Sequence, residues 1–393
     1  MKDLLISNIG QIVSGDISRP LISGDAVLVR EGLIASIGSE SDFTEVGIDK
    51  VLDANLGTLM PGLIDSHVHI VIGDFTPRQK TLGFIESCLH GGVTTMISAG
   101  EVHTPGLPKN AAGLKALAII AAQSFDNARP AGVKVIGGGL ILDPEMTERD
   151  FEELARAGVA HLGEIGLGVV TDWELAAKMV KWAHKYSMKV MMHVGGASIP
   201  GSNVIGADAV LKVKPDVASH LNGGPTAAPL EDIERIIHES DIALEVVQCG
   251  NMVALKNIAD LVVHYAALDR MLIGTDMPSG TGMIPLGMLR TISAVTSFSE
   301  ITPAQAIAMA TGNTAHIYQL NRGIIAQGKE ADFVIADAPV GSRAHDALEA
   351  LKIGDLPGIA AVIIDGDVKV NLSRNTPPPQ RRAGIPWLAS SGH

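Results

Sequence analysis

The stretch Leu59-Met60-Pro61-Gly62-Leu63-Ile64-Asp65-Ser66-His67-Val68-His69 governs how the rest of the chain is interpreted. Its apolar start predicts a buried strand over residues 59–64 that stops at a His-x-His pair. Side chains alternate faces along a strand, so His67 and His69 point the same way, with Asp65 below them. Two such imidazoles can bind one metal ion, but a chance pair of core or surface histidines has the same spacing.

The composition of the chain restricts its partners. Its 393 residues are 46% hydrophobic and 19% charged, which predicts a globular protein with one large and one smaller domain. A net charge of −13 without a Lys/Arg-rich run argues against nucleic acid and anionic membranes and favours a small-molecule ligand. The two cysteines, Cys88 and Cys249, support neither a disulfide framework nor a thiolate zinc site. The start of the chain does not resemble a signal peptide, and no apolar run approaches about 20 residues, so we predict a cytoplasmic protein.

The two ends of the chain share one pattern. Residues 1–57 contain short β-prone runs broken by Gly, Asn, Asp and Ser, and residues 323–372 return to turns and strands. We predict that these two segments form one β-domain and that residues 58–322 form a second, larger domain. Residues 373–393 begin with a proline-rich run and are predicted to be an extended tail.

Apolar strands alternate with helical stretches in the larger domain. Eight buried strands with intervening helices predict an α/β protein with a (β/α)8 TIM barrel, and a doubly wound open sheet is the alternative. The predicted strands cover residues 59–64, 93–99, 133–138, 160–165, 189–193, 216–221, 243–247 and 271–275. Clear helices are predicted over residues 148–157, 172–186 and 230–240, and another begins with Thr302 as N-cap before Pro303.

Potential metal ligands follow the ends of five predicted strands. Active sites of (β/α)8 barrels lie at the C-terminal ends of their strands, so these side chains are expected to share one mouth. Four imidazoles and two carboxylates suit two divalent metal ions. The candidates are His67, His69, Glu164, His193, His220 and Asp276.

Several candidates also have a purely structural interpretation. His193 and His220 could be buried histidines bonded to the backbone, and Asp276 could form a turn or cap a helix. Glu164 could pair with a nearby Lys or Arg, although a carboxylate deep in a barrel needs a cation and a metal ion is the strongest one. His161 precedes Glu164 by three positions and is expected to face away from the site.

The same residues resemble the amidohydrolase superfamily. The stretch from Pro61 to His69 is similar to its first-strand signature, and residues 308–315 and 328–334 are similar to its closing helix and its return to a β-sandwich. The resemblance covers about residues 1–370. It implies a metal-bearing barrel, a small composite β-sandwich domain built from both chain ends, and a homo-oligomer, either a tetramer or a dimer.

The resemblance also implies roles for the six candidates. His67, His69 and Asp276 would bind one metal ion, and His193 and His220 would bind the other. Many members bridge their metals with a carboxylated lysine on the fourth strand, where this chain has Glu164, so the glutamate would bridge instead. Zinc plus iron and two zinc ions suit these ligands equally.

Within the superfamily, the chain most resembles members that open a cyclic enamide in nicotinate degradation. This implies conversion of 6-oxo-1,4,5,6-tetrahydronicotinate and water to 2-formylglutarate and ammonia. A hydroxide held between the metals would attack the amide carbonyl, and Asp276 would transfer the proton to the leaving nitrogen. An anionic ring needs positive charge or donors, for which Arg78, His103 and Lys109 are the candidates, although each could be an ordinary exposed loop residue.

Other activities are consistent with the same residues. The alternatives within the superfamily are a dihydroorotase- or hydantoinase-like cyclic amidase, an N-acyl hydrolase and a deaminase. A non-catalytic scaffold relative is the alternative from a different class, and such a protein is expected to lose metal ligands.

Overall fold

In the computed structural model of the chain, residues 3–44, 47–72, 78–166, 169–197, 203–279 and 282–384 are described. The chain begins with short strands whose apolar side chains are largely buried. They are β1 (Leu4–Ser7), β2 (Gln11–Val13), β3 (Leu21–Ile22), β4 (Ala26–Arg30), β5 (Leu33–Gly38), β6 (Lys50–Asp53) and β7 (Thr58–Pro61).

Eight strands and the helices that follow them make up the middle of the chain. The strands are β8 (Leu63–Val68), β9 (Val93–Ser98), β10 (Lys134–Ile136), β11 (His161–Ile165), β12 (Lys189–His193), β13 (Val217–Ser219), β14 (Ala243–Val247) and β15 (Met271–Gly274). The helices are α1 (Arg78–Leu89), α2 (Ala111–Asn127), α3 (Glu148–Arg156), α4 (Trp173–Lys185), α5 (Ala207–Val213), α6 (Leu230–Glu239), α7 (Met252–His264), α8 (Gly287–Phe298), α9 (Pro303–Met309) and α10 (Gly312–Ile317). The chain then forms β16 (Phe333–Asp337), α11 (Ala347–Lys352), β17 (Gly358–Ile364) and β18 (Asp367–Asn371).

The eight central strands form a closed parallel barrel. β8, β9 and β10 pair in parallel, and so do β11 to β15 in chain order. Parallel bridges between Leu140 and Leu162 and between Val68 and Met277 join these two sheets at both edges. The predicted (β/α)8 TIM barrel is therefore confirmed, and its C-terminal strand ends share one mouth.

A six-stranded sheet combines both ends of the chain. Its order is β18-β17-β16-β7-β2-β3, and β7 pairs with β16 from the C-terminal part and with β2 from the N-terminal part. A four-stranded sheet has the order β5-β4-β1-β6. Apolar side chains from both sheets share one core, which includes Leu4, Ile6, Ile12, Val27, Val29, Leu59, Phe333, Ile335 and Ile363.

The prediction of a single strand over residues 59–64 is wrong, because the chain forms two strands there. β7 belongs to the six-stranded sheet, and β8 belongs to the barrel. The break falls at Gly62, where a Cβ atom would lie 2.2 Å from Thr94 Oγ1, so no side chain fits. Thr58–Pro61 therefore joins the sheet, although the predicted barrel domain begins at residue 58.

The predicted helices agree with the observed ones to within a residue at each end. α9 begins as predicted, because Thr302 Oγ1 accepts a hydrogen bond from the Gln305 N–H at 3.3 Å and Pro303 occupies the first helical position. Within the described ranges, no helix is both long enough and apolar enough to cross a membrane. In the predicted tail, the described residues 373–384 contact the rest of the chain, and Ser373 Oγ donates a hydrogen bond to the His90 carbonyl at 2.7 Å.

A buried lysine links the barrel to the loops around β16 and β17. Lys134 begins β10 at the barrel end opposite the mouth, and its Nζ lies 2.7 Å from Glu330, 2.8 Å from Asp332 and 2.6 Å from Asp365. The three carboxylates lie close enough together to bind a cation, and all three contact Lys134. Arg322 also pairs with Glu330 at 2.8 Å and Arg129 with Asp365 at 3.1 Å, so Lys134 matters most for the buried Asp332.

We expect Lys134→Met to lower the free energy of unfolding by about 3–5 kcal/mol, because the buried Asp332 carboxylate then has Arg322, at 4.0 Å, as its nearest described cation. Chemical denaturation measures this loss. Lys256→Met is the matched control, since Lys256 pairs with Asp260 on the exposed face of α7 and its loss is expected to cost about 0.5 kcal/mol. Equal effects of the two substitutions would contradict the structural role of Lys134.

Candidate metal centre

The barrel brings all six predicted ligands together at its mouth. His67 lies on β8, and His69 follows that strand directly. Glu164 lies on β11, and His193 is the last residue of β12. His220 and Asp276 follow β13 and β15, and both have a left-handed backbone with φ of 37° and 57°.

The first group of ligands consists of His67, His69 and Asp276. Asp276 Oδ1 lies 3.1 Å from His69 Nε2 and 3.6 Å from His67 Nε2. Both imidazoles therefore present Nε2 to the same carboxylate oxygen. These three side chains can surround one ion with two nitrogen ligands and one oxygen ligand.

The second group consists of Glu164, His193 and His220. Glu164 Oε1 lies 2.6 Å from His220 Nε2 and 3.9 Å from His193 Nδ1. The other oxygen, Oε2, faces the first group, at 3.6 Å from His67 Nε2 and 3.7 Å from His69 Nε2. The two oxygens of one carboxylate thus face the two groups, which is the arrangement that a bridging ligand needs.

The electrostatics of the site attract positive charge. Burial by itself raises the pKa of Glu164, but the nearby His220 and His67 imidazoles outweigh it and hold that pKa well below its usual range. For His67, burial lowers the pKa, but Glu164 and Glu245 outweigh burial and raise it. Glu164 is therefore favoured as an anion, and a buried anion needs a positively charged partner.

The donor atoms of the site fit divalent metal ions. His67 Nε2 and His193 Nδ1 are buried and lack a hydrogen-bond partner among the described residues, although both face Glu164. Buried polar atoms are nearly always satisfied, so two such imidazole nitrogens indicate a ligand of another kind. Imidazole and carboxylate ligands suit zinc and iron.

Asp65 fixes the end of the eighth barrel strand beside the site. Its carboxylate accepts hydrogen bonds from the Thr275 N–H at 2.9 Å and from Thr275 Oγ1 at 2.6 Å. Burial raises the pKa of Asp65 to about 7, against the opposing effect of these bonds. Because Thr275 precedes Asp276, the first strand positions a ligand that belongs to the eighth.

His161 lies outside both groups of ligands. It is buried, and its Nε2 lies 2.6 Å from the Ser98 carbonyl oxygen. The His161 ring also lies 6.5 Å from the ring of Tyr318, which belongs to the apolar cluster inside the barrel. β11 has a register shift between Leu162 and Ile165, so the regular alternation on which the expectation for His161 rested is wrong for this strand.

Sequence reasoning missed two buried glutamates near the mouth. Glu245 on β14 lies 2.8 Å from His67 Nδ1, and Glu101 follows β9 and accepts a hydrogen bond from the Ile72 N–H at 3.0 Å. Burial raises the pKa of Glu101 to about 7. The signal for Glu245 was a lone charge inside the apolar run Ala243–Val247, which strand alternation directs into the barrel.

The predicted substrate-binding residues have different positions. The His103 ring lies 5.0 Å from the His69 ring, beside the first group of ligands. Lys109 is exposed in the same loop region before α2. Arg78 begins α1, but its side chain lies outside the described part of the structure.

A closed (β/α)8 barrel with histidines and carboxylates at its strand ends is the architecture of metal-dependent barrel enzymes, which is the class of protein that this fold and site define. The sequence profile described as "Amidohydrolase family" matches residues 58–369. The chain belongs to this family.

Individual relatives differ in how similar they are to this chain. Enamidase from Eubacterium barkeri is 54% identical over 389 residues, which cover 98% of this chain and 100% of that protein. The crystal structure of enamidase matches with a TM-score of 0.95 and 53% identity, covering 98% of this chain and 100% of that one. Adenine deaminase from Listeria monocytogenes is 26% identical over 407 residues, covering 98% of this chain but 61% of that protein. A β-aspartyl dipeptidase from Fervidobacterium islandicum shares the fold, with a TM-score of 0.65, 18% identity, and coverage of 94% and 96%.

We expect Glu164→Gln to reduce metal binding by both groups, because a neutral amide bridges two cations poorly at nearly unchanged size. Elemental analysis of the purified protein measures the bound metal. Glu101→Gln is the matched control, since Glu101 is an equally buried glutamate at a strand end that belongs to neither group. Full metal content in Glu164→Gln would mean that Glu164 has only a structural role.

Proposed function

We propose that the protein is an enamidase-like hydrolase that cleaves the C–N bond of a cyclic enamide. The observation that carries the proposal is the 54% identity to enamidase across the whole of both chains. The site supports it, because two ligand groups share one carboxylate at the mouth of the barrel. The proposed reaction converts 6-oxo-1,4,5,6-tetrahydronicotinate and two water molecules to 2-formylglutarate and ammonia, a step of nicotinate degradation. The first water cleaves the amide C–N bond and leaves an enamine, which tautomerises and is hydrolysed by the second water to release ammonia.

The proposed cofactors are two divalent metal ions, either zinc plus iron or two zinc ions. His67, His69 and Asp276 would hold one ion, His193 and His220 the other, and Glu164 would contact both. When bound, such ions supply Lewis-acid polarisation of a carbonyl and make water acidic enough to ionise near neutral pH.

Asp276 is the proposed proton carrier. Its side chain is 16% exposed, whereas that of Glu164 is 1% exposed, so Asp276 is the carboxylate of the site that a substrate can approach. Burial raises the pKa of Asp276, but the hydrogen bond with His69 and the charges of the site lower it overall. An ionised Asp276 can accept a proton from the attacking water and deliver it to the leaving nitrogen as the C–N bond breaks.

The proposed substrate is an anion, and His103 is the described candidate for its recognition. Its ring lies beside His69, within reach of a ligand that occupies the mouth. A histidine can donate a hydrogen bond to a ring carboxylate in either protonation state. Arg78 and Lys109 stay predictions from the sequence, as do the cytoplasmic location and the homotetramer or homodimer.

Deamination is the second candidate function. Adenine deaminases from several bacteria are similar to this chain at 23–28% identity, although the matches cover only about half of the length of most of them. In both reactions water adds to an sp² carbon and a C–N bond breaks, with an enamine or ammonia as the leaving group, so the same ligands could serve either. The long match to enamidase favours ring opening.

A substrate panel tests the proposal. The protein, purified with its metals, is assayed with the cyclic enamide, saturated cyclic amides, imides and adenine, while ammonia release and ring absorbance are measured. We expect the enamide to have the highest kcat/KM and its ring absorbance to fall as ammonia appears. Faster ammonia release from adenine would support deamination instead, and inactivity on the whole panel would overturn the proposal.

We expect Asp276→Asn to lower kcat by about 10²–10⁴-fold, because the amide keeps the shape but cannot accept a proton. Steady-state kinetics and elemental analysis on the same samples separate this effect from metal loss. Asp143→Asn is the control, since Asp143 is a buried aspartate in the loop after β10 and lies in neither ligand group. Turnover of Asp276→Asn within a few-fold of the parent would assign the proton to another residue.

A further inference from the structure

Glu245 is a carboxylate in the middle of an otherwise apolar strand. β14 has the sequence Ala-Leu-Glu-Val-Val, and the Glu245 side chain is 0% exposed. Ala243 belongs to the apolar cluster inside the barrel, whereas Leu244 and Val246 pack in the main core. Glu245 alternates with Leu244 and Val246 and therefore points into the barrel, where an isolated charge costs several kcal/mol.

One oxygen of Glu245 determines how His67 faces the site. Glu245 Oε2 lies 2.8 Å from His67 Nδ1, and Oε1 accepts a hydrogen bond from Ser66 Oγ at 2.5 Å. A carboxylate is only an acceptor, so His67 Nδ1 must carry the hydrogen. A neutral His67 ring then has its lone pair on Nε2, the atom that faces Glu164 and Asp276.

The same carboxylate holds the backbone of a ligand in the second group. The His220 N–H donates to Glu245 Oε2 at 3.3 Å. His220 has a φ of 37°, a conformation that costs a residue with a side chain some strain and needs support from its surroundings. Its ring Nε2 lies 2.6 Å from Glu164 Oε1. Glu245 therefore contacts one histidine of each ligand group.

We propose that Glu245 is a positioning residue that sets the affinity of both ligand groups for divalent ions. This inference rests on the proposed function, because it takes the two groups to be metal sites. Glu245 fixes the His67 ring so that Nε2 faces the first ion, and it fixes the backbone from which His220 reaches the second. Both contacts come from one carboxylate oxygen, Oε2, so one side chain couples the two groups.

Carboxylates that orient a metal-binding histidine strengthen metal binding by a known amount. Removing such a partner typically weakens metal binding by about 10–100-fold, without removing a ligand. Glu245→Gln keeps the shape and one acceptor oxygen but loses the charge. Glu245→Leu also loses all three hydrogen bonds, with Ser66, His67 and His220, so its effect is expected to be larger.

The test measures metal retention directly. Parent, Glu245→Gln and Glu245→Leu are loaded with zinc alone and titrated with a competing chelator, and bound zinc is measured by mass spectrometry. We expect both zinc ions to bind about 10–100-fold more weakly in Glu245→Gln and still more weakly in Glu245→Leu. If Glu245→Leu does not fold, the zinc affinity of Glu245→Gln alone tests the inference.

Asp337→Asn is the matched control for a buried carboxylate that lies far from the mouth. Asp337 is fully buried on β16 and pairs with Arg381 at 2.5 Å, so its loss is expected to lower stability and leave zinc affinity unchanged. Kinetics at saturating zinc provide the second readout. A positioning role predicts that Glu245→Gln recovers most of the parent kcat, whereas a role in proton transfer would leave it slow.

Three results would overturn the inference. They are zinc affinity of Glu245→Gln within twofold of the parent, weakening of one ion only, and an equal loss in Asp337→Asn. Failure of the proposed function gives a different result, because the parent itself would then bind no zinc or bind zinc and open no ring. If the parent binds two ions and opens the enamide while Glu245→Gln keeps the parent's zinc affinity, only the role assigned to Glu245 is wrong.

Discussion

The carboxylate of Glu164, buried between two groups of histidines, is the constraint on which the rest of the site depends. One of its oxygens faces His67 and His69, and the other faces His193 and His220. An ionised group at this depth is stable only among positive partners, and the described partners are imidazoles. The barrel must therefore bring the ends of three strands, β8, β12 and β13, to the one carboxylate on β11.

Closure of the barrel brings these strand ends together. Bridges at Leu140 and at Val68 join the two parallel sheets, so the first and last strands are neighbours. Asp65 on the first strand then holds Thr275, and Asp276 comes into reach of His69. Gly62 allows the chain to leave the six-stranded sheet and enter the barrel within one residue. The metal ligands and the β-sheet of the two chain ends are thus connected through one short segment.

The comparisons carry different weights for function. The similarity to enamidase covers both chains in full, so the site and its loops can be compared as a whole. The dipeptidase likeness at 18% identity shows the fold alone, since one barrel supports many chemistries. On the fourth strand of the barrel, the carboxylate between the two groups of histidines belongs to an unmodified glutamate, Glu164.

The sequence by itself determined the barrel and the six candidate ligands. Apolar, buried strands that alternate with helices identify the barrel, so local pattern was enough to find it. The six candidates stand near the ends of predicted strands, which is where barrel active sites lie. They are His67, His69, Glu164, His193, His220 and Asp276. Local pattern also misassigned residues 59–64 as one strand, because the close approach of Thr94 on another strand, which leaves no room for a Cβ atom at Gly62, is not visible in the local sequence.

Only the tertiary structure decided how the ligands are shared and what supports them. Which oxygen of Glu164 faces which histidines depends on the packing of strands that are far apart in the chain. Glu245 stands 178 residues from His67, so no local pattern connects the two side chains. The alternation of residues along a strand predicts which face of the sheet a side chain occupies. Which side chain it contacts across the barrel depends on how the barrel closes and on the register between strands.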